Sequence, residues 1–319
     1  MGDSIIAGTE SGAGHLAAAG RRTVLLAAAG LAAAALGACA GPGQRGGAPG
    51  PQGTATPSAV SVQEAPAASA THSGLLPAGK RPAPLSREAV VARYGGRQPA
   101  EWGMHVSGVA TRSSSGKAVL TFDACGGPGG ADCDERLLDT LRKLNVPATL
   151  FLNGRWIAAN PARAAELGAD PLFELANHGA LHRPLSVDGR QAYGIPGTAS
   201  VGEVYDELMD AKAVVERLSG KPCVFFRSGT AHYDDVAAAI ARRLGQVPVN
   251  FSVNGDAGAT FSPAQVTGEL AGVGGGDIVI SHFNHPASGT AAGYAAALPR
   301  LLDRGVVFAR LGEVARQLK

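Results

Sequence analysis

Five short polar segments hold most of the side chains in this sequence that could move a proton or hold a cation. They are Thr121-Phe-Asp-Ala-Cys-Gly-Gly127, Asn177-His-Gly-Ala-Leu-His182, Arg227-Ser-Gly-Thr-Ala-His-Tyr-Asp234, Asn254-Gly-Asp256 and Ser281-His-Phe-Asn-His285. Of the 8 histidines, five fall between positions 178 and 285, and each sits in one of these segments. His178 and His182 are four residues apart, so on a helical turn both imidazoles would share one face and suit a divalent metal. Taken singly, each feature has an ordinary explanation. A pair of histidines is more often a surface or hydrogen-bonded pair, Asp123 a loop or capping carboxylate, Arg227 half of a structural ion pair. The case for chemistry rests on where the segments fall along the chain.

Each segment follows a predicted element of a repeating strand–helix pattern that begins at Lys117. The apolar run 118–122, with β-branched and aromatic residues, reads as a buried strand. Asp134 can cap a helix in which Leu137, Leu138, Leu141 and Leu144 share a face. Pro147 ends it, and 148–152 reads as a second strand. Val204, Leu208, Ala211, Val215 and Leu218 predict an amphipathic helix over 203–218, ended by Gly220-Lys-Pro222. Strands are expected at 224–226, 249–253, 277–281 and 306–311, with helices at 235–244 and 298–303. Upstream, 86–94 could form a short helix and 102–109 a short strand or packing segment. Repeated strand–helix units imply a mostly parallel sheet, and so many in about 200 residues favour an α/β class closed or nearly closed barrel over an open sheet. Chemistry in such folds gathers in loops at the carboxyl ends of strands, where these segments lie. No GxGxxG or P-loop follows the first strand, so no nucleotide cofactor is expected.

The amino-terminal part reads differently. Arg21-Arg22 precede a 16-residue run made almost wholly of Val, Leu, Ala and Gly over 23–38, short for a spanning helix and right for a signal-peptide core. It ends Leu36-Gly37-Ala38-Cys39, which resembles a bacterial lipobox, with Cys39 taking the lipid; a plain secretory signal is the other reading. The Arg pair also resembles a twin-arginine export signal, although Gly20 stands where Ser or Thr is usual. Residues 40–80 hold 8 Gly and 6 Pro among Ala, Ser, Thr and Gln, too little aliphatic surface to offset ordering entropy, so a flexible tether is expected. The expected organisation is therefore 1–38 signal peptide, 39–80 tether, 81–116 an extension packed on the domain, and 117–319 one catalytic domain. This division accounts for much of the 45 Gly and 20 Pro, which would suggest disorder if evenly spread. The net charge of +2 argues against a nucleic-acid partner, and 17% charged residues against a coiled coil.

The five segments, in order, are similar to the motifs of the polysaccharide deacetylase (NodB-homology) domain, carbohydrate esterase family 4, over about 117–319. Thr121-Phe-Asp123 resembles the first motif, whose leading Asp is the catalytic base. Asn177-His178 through His182 resembles its His-x-x-x-His metal motif, with Glu174 where the family often has Glu. Phe226-Arg227 resembles the third motif, Asp256 falls in the region of the fourth, and Ile280-Ser-His282 resembles the fifth. The resemblance implies a deformed parallel (β/α) barrel, a divalent metal ion, commonly zinc, and hydrolysis of N-acetyl groups on an amino-sugar polymer. It implies that His178 and His182 ligate the metal, that Asp123 is the base oriented and kept ionised by Arg227, and that His282 is the general acid. Asp256 would set the tautomer of His282 and raise its pKa. An oxyanion would be held by the metal and a backbone N–H, for which the loop around Tyr233 is a candidate.

One departure stands out. The family usually has a second Asp as a metal ligand where this chain has Ala124, and two histidines alone make a poor zinc site. Asp123 could ligate directly, Asp132 could swing in, or Cys125 could supply a thiolate; Asp123 with waters is the favoured expectation. The third motif also lacks its usual Pro-Tyr, and His232-Tyr233 could fill that space. His285 could touch substrate or simply pack. With Cys39 lipidated, Cys125, Cys133 and Cys223 permit one disulfide at most. The function expected is a membrane-anchored, exported deacetylase acting on an N-acetylated polysaccharide, peptidoglycan first. The competing class is a non-catalytic glycan-binding lipoprotein with a decayed site. No protein partner is inferable.

Overall fold

The computed structural model describes residues 85–319; the predicted signal, the tether and the first residues of the extension lie outside the described residues. Ten strands are present among the described residues: β1 (Trp102–Gly103), β2 (Ala118–Ala124), β3 (Ala148–Leu152), β4 (Phe173–Asn177), β5 (Phe225–Phe226), β6 (Tyr233–Asp234), β7 (Val247–Pro248), β8 (Val253–Asn254), β9 (Ile278–His282) and β10 (Phe308–Ala309). Eight of them form one sheet in the order β7-β5-β4-β3-β2-β9-β8, with β10 pairing the start of β2; β1 and β6 form a separate antiparallel ribbon. All pairings in the large sheet are parallel. The result is a single α/β domain, a mostly parallel sheet curled into a deformed barrel with helices outside it.

Curling follows from connectivity. The edge strands β7 and β8 are joined by only four residues, 249–252, and five backbone steps span at most about 18 Å. The two edges must therefore approach. The joining segment gives its N–H groups to both sides in turn: Val249 to Phe226 O, Asn250 to Ala110 O and Ser252 to Ile278 O. This is why the strand expected over 249–253 is instead two short pairings around a crossing. Residues 110–113 of the extension fill the remaining gap through isolated bridges Ala110↔Val249 and Arg112↔Asp277. Those bridges protect edges that would otherwise be open.

Side chains alternate across the central strand. Ala118, Leu120, Phe122 and Ala124 face the helix layer, in one core with Leu137, Leu138 and Leu141 of the helix Glu135–Lys143. Val119 faces inward with Phe151, Ala176, Phe225 and Ile278. A third core joins the extension to the barrel: Val90 and Tyr94 of the helix Arg87–Tyr94 pack with Val204 and Leu208 of the helix Val201–Ser219 and with Ile240 of the helix Asp235–Arg243. The predicted cap at Asp134 is present and accepts from Leu137 N. The last long helix, Thr290–Asp303, starts well before the expected 298; its first half is Ala-rich and has no aliphatic stripe by which to read it. No helix among the described residues is long and apolar enough to cross a membrane.

Candidate active site

The carboxyl ends of β2, β4, β5 and β9 bring Asp123, His178, Arg227 and His282 to one mouth, with Asp256 just past β8. β2 runs two residues beyond its predicted end, so Asp123 lies within the ladder, opposite Phe151 on one side and His282 on the other.

Asp123 is buried, and Arg227, fully buried, fixes it. Arg227 Nη1 donates to Asp123 Oδ1 (2.7 Å) and to Thr121 Oγ1 (2.9 Å). Its Nε donates to Val249 O (3.0 Å) and its Nη2 to Asn250 O (3.1 Å). The guanidinium also lies over the Phe151 ring, 4.2 Å from its centroid. A planar fork with several fixed donors suits this work in a way that an ammonium does not. Thr121, which sequence reasoning did not single out, donates to Val279 O (2.6 Å) and so ties the guanidinium to β9.

His178 and His182 do come together, their ring centroids 4.8 Å apart, but not on a helical turn. Residues 178–182 form an irregular loop in which Gly179 and His182 both take positive φ, 79° and 62°. Glu207, on the helix Val201–Ser219, holds that loop: its carboxylate accepts from Leu181 N (2.9 Å to Oε2) and Arg183 N (3.2 Å to Oε1), and its carbonyl from Ala180 N. Asn153 Nδ2 donates to the carbonyls of His178 (2.9 Å) and Gly179 (2.7 Å) from the other side. Gly229 lets the third segment reach His182, because a Cβ there would lie 2.2 Å from the His182 carbonyl carbon. Glu207 is a positioning residue that sequence reasoning missed. Its signal was available: a carboxylate between Val204, Leu208 and Ala211 on an otherwise apolar helix face.

The imidazole nitrogens are set for a cation. His178 Nδ1 lies 3.0 Å from the carbonyl of Arg227, an acceptor, so Nδ1 carries the proton and Nε2 is left with a lone pair. His182 Nε2 is buried with no hydrogen-bond partner. Cys125 Sγ lies 3.6 Å from His178 Nε2, and donor atoms of Cys125, His178 and His182 all fall within 4.8 Å of one another. Asp123 Oδ2 is 3.5 Å from His178 Nε2 but does not join that common group. Asp132 is exposed, and its carbonyl accepts from Trp156 Nε1. The donor chemistry, two imidazoles beside sulfur or carboxylate, fits a zinc-like ion.

Electrostatics separate the groups. Burial works against ionisation of the Cys125 thiol, but the neighbouring imidazoles of His182, His178 and His282 outweigh it and hold the thiol well below its ordinary range. By contrast, burial pushes Cys133 and Cys223 each up to about 12. The three cysteines among the described residues are free thiols. Burial favours neutral His282, yet the Asp256 carboxylate overrides it by charge and hydrogen bond and raises the pKa well above the usual imidazole range. Asp256 Oδ1 lies 2.9 Å from His282 Nδ1, while Oδ2 accepts from His282 N (2.7 Å) and from Thr290 Oγ1 (3.0 Å). Burial lowers the pKa of His182.

Four other sequence candidates sit elsewhere. Glu174 lies low on β4, where it accepts from Thr149 Oγ1 (3.0 Å) and Gly312 N (2.9 Å) and so holds the last helical turn. Tyr233 is fully buried, and its hydroxyl accepts from Ser228 N (2.8 Å), which fixes the loop after Arg227. His232 instead reaches the rim, 5.3 Å from the exposed Tyr193 ring and 5.8 Å from Trp102. His285 shows one backbone link, its carbonyl accepting from Ser288 N.

Comparisons with known proteins agree on the domain. A family model described as polysaccharide deacetylase matches residues 111–249. A chitooligosaccharide deacetylase from Bradyrhizobium sp. (strain ANU 289) is 30% identical over 179 residues, covering 54% of this chain and 74% of that protein. Among solved structures, a family 4 carbohydrate esterase from Bacillus subtilis, PdaA, matches with a TM-score of 0.54 at 18% identity, covering 72% of this chain and 88% of that one. A carbohydrate esterase 4 pseudoenzyme from Bacillus anthracis matches with a TM-score of 0.54 at 22% identity, over 64% of this chain and 67% of that one. A peptidoglycan N-acetylglucosamine deacetylase matches with a TM-score of 0.54 at 21% identity, over 65% and 92%. With the barrel, the order of the five segments and this kinship in agreement, the chain belongs to the polysaccharide deacetylase family, carbohydrate esterase family 4.

Proposed function

We propose that this domain is a cation-dependent N-deacetylase of an extracytoplasmic amino-sugar polymer, with peptidoglycan as the first substrate. The observation that carries the reading is the pairing of two opposed proton carriers at one mouth. Asp123 is locked by Arg227 beside the two imidazoles, and His282 is held by Asp256 on the adjacent strand.

His178 and His182 would hold the cation, which when bound supplies Lewis acidity toward the acetamide carbonyl and water. Arg227 leaves Asp123 Oδ2 facing His178, where it can accept the proton of the attacking water. His282, its pKa raised by Asp256, gives a proton to the sugar nitrogen as the C–N bond breaks, releasing acetate and a free amine. Tyr193, 76% exposed, with His232 and Trp102 behind it, offers an aromatic face on which a sugar ring could stack. A chitooligosaccharide deacetylase among the relatives and a peptidoglycan deacetylase among the structural neighbours support an N-acetylglucosamine-containing polymer. The Leu36–Cys39 sequence supports attachment to a membrane through lipid on Cys39; Cys39→Ala should move the protein from the membrane to the soluble fraction.

The test is acetate release from peptidoglycan and from chito-oligomers. Wild type should release acetate, chelation should abolish it, and Asp123→Asn and His178→Ala should each lower kcat by at least about 100-fold. Activity indifferent to chelation would remove the cation from the reading. Ala124 and a pseudoenzyme neighbour support a second reading, a glycan-binding module without turnover. Glycan binding with no acetate release at any added divalent ion would establish it.

A further inference from the structure

We propose that the Cys125 thiolate is the third protein ligand of the cation, replacing the carboxylate that Ala124 cannot supply, and that Asp123 is thereby left free to act as base. The proposal rests on the reading of this mouth as a cation-dependent deacetylase site.

Four observations carry it. First, alternation along β2 sends side chains 121 and 123 toward the mouth, where both meet Arg227, and side chain 124 into the helix-facing core. Cys125 is the next residue on the mouth side, and it is the one that meets the imidazoles. Second, the spacing fits. Zn–S of about 2.3 Å and Zn–N of about 2.0–2.1 Å in a tetrahedron place neighbouring sulfur and nitrogen donors about 3.5 Å apart. The observed separation of Sγ and His178 Nε2 is 3.6 Å.

Third, the backbone is built to hold the thiol there. Gly126 turns the chain with φ of +65° against the helix Gly154–Ala159, where a Cβ would lie 2.6 Å from Trp156 N. Arg155 Nη2 donates to the Cys125 carbonyl at 3.2 Å. A side chain larger than hydrogen at 126 would push Cys125 off the imidazoles. Fourth, the other candidates are committed elsewhere. Asp123 Oδ1 is engaged by Arg227 and Asp132 is exposed, while His182, whose Nε2 is buried without a protein partner, belongs to the group formed with Cys125 and His178. Two imidazoles and one thiolate, with a fourth position for water or substrate, is a ligand set found at catalytic zinc sites. It favours softer ions such as zinc and cobalt over magnesium or calcium.

The experiment loads the full chain with cobalt(II) and records the absorption spectrum. An intense near-ultraviolet thiolate-to-cobalt charge-transfer band is expected in wild type and in Asp123→Asn, and none in Cys125→Ser. Zinc affinity in Cys125→Ser should fall by more than the roughly 10–100-fold typical of losing an outer-shell partner. Cys125→Asp, with an oxygen donor in the same place, should bind cobalt without the band, which separates ligand loss from misfolding. Bound zinc should shield Cys125, but not Cys133, from iodoacetamide as read by peptide mass. One equivalent of cobalt bound without the band, or zinc binding in Cys125→Ser within about 3-fold of wild type, overturns the assignment. Acetate release that needs a cation but gives no band overturns only the ligand, leaving the deacetylase reading intact. A band with no acetate release from any glycan does the reverse.

Discussion

Arg227 gives every edge of its guanidinium to a partner: one carboxylate, one hydroxyl, two carbonyls and an aromatic face. Lysine keeps the charge but not the fork, and would leave Asp123 buried and poorly paired. Arg227→Lys should cost about 1–3 kcal/mol of stability for the buried acceptors left without a donor, read by urea denaturation. It should also lower kcat by about 100-fold through misplacement of the base. Glu207 works at one remove, since its carboxylate binds the loop rather than substrate or cation. Glu207→Ala should weaken zinc binding by about 10–100-fold in calorimetric titration, and Glu207→Gln by less, because one acceptor oxygen survives. A purely structural role would lower the unfolding midpoint in both variants while leaving the zinc affinity of the folded protein unchanged.

At the scale of elements, β2, β5 and β9 were legible because each pairs a β-branched or aromatic run with a polar residue at its carboxyl end, whereas β4, which carries His178, was given no range from sequence. β3 appears with the predicted bounds, and β2 and β9 within two residues of theirs. Less legible were the parts whose shape depends on partners far along the chain. The loop 178–182 takes its form from Glu207, and the crossing 249–252 from strands on either side of it. Neither dependence leaves a local periodicity. The helices Gly154–Ala159, Pro161–Ala169 and Pro263–Leu270 are short and rich in Ala or polar residues, so their apolar stripes were too thin to read. Alternation on β2 makes a prediction of its own. Because side chain 124 lies in the helix-facing core with no exposure, Ala124→Asp buries a carboxyl among apolar groups. It should destabilise the fold by about 2–5 kcal/mol in denaturant titration rather than improve zinc binding.

For the molecule as a whole, buried titratable groups set how stability responds to pH. Burial raises the pKa of Asp134, Glu174 and Asp234. A carboxyl raised on folding prefers its proton in the native state. Its contribution is complete below its unfolded value of about 4 and is lost as pH rises through the folded value. His178 and His282, also raised, act in the same direction, while His182, lowered by burial, and the Cys125 thiol, held well below its ordinary range, oppose them. In chelator, Cys125→Ser, which removes the opposing thiol, should therefore show a urea midpoint higher at pH 5.5 than at pH 7.5; a midpoint that rises with pH in that variant would contradict this. The barrel's closure has a kinetic meaning as well. The segment 249–252 that joins the edge strands also supplies the two carbonyls that hold Arg227. Any breathing of the wall at that seam would release the guanidinium, and with it Asp123, before the rest of the sheet opened. Amide exchange at Val249 and Asn250 should then report the fraction of time the enzyme spends switched off, a resting rhythm set by its own architecture.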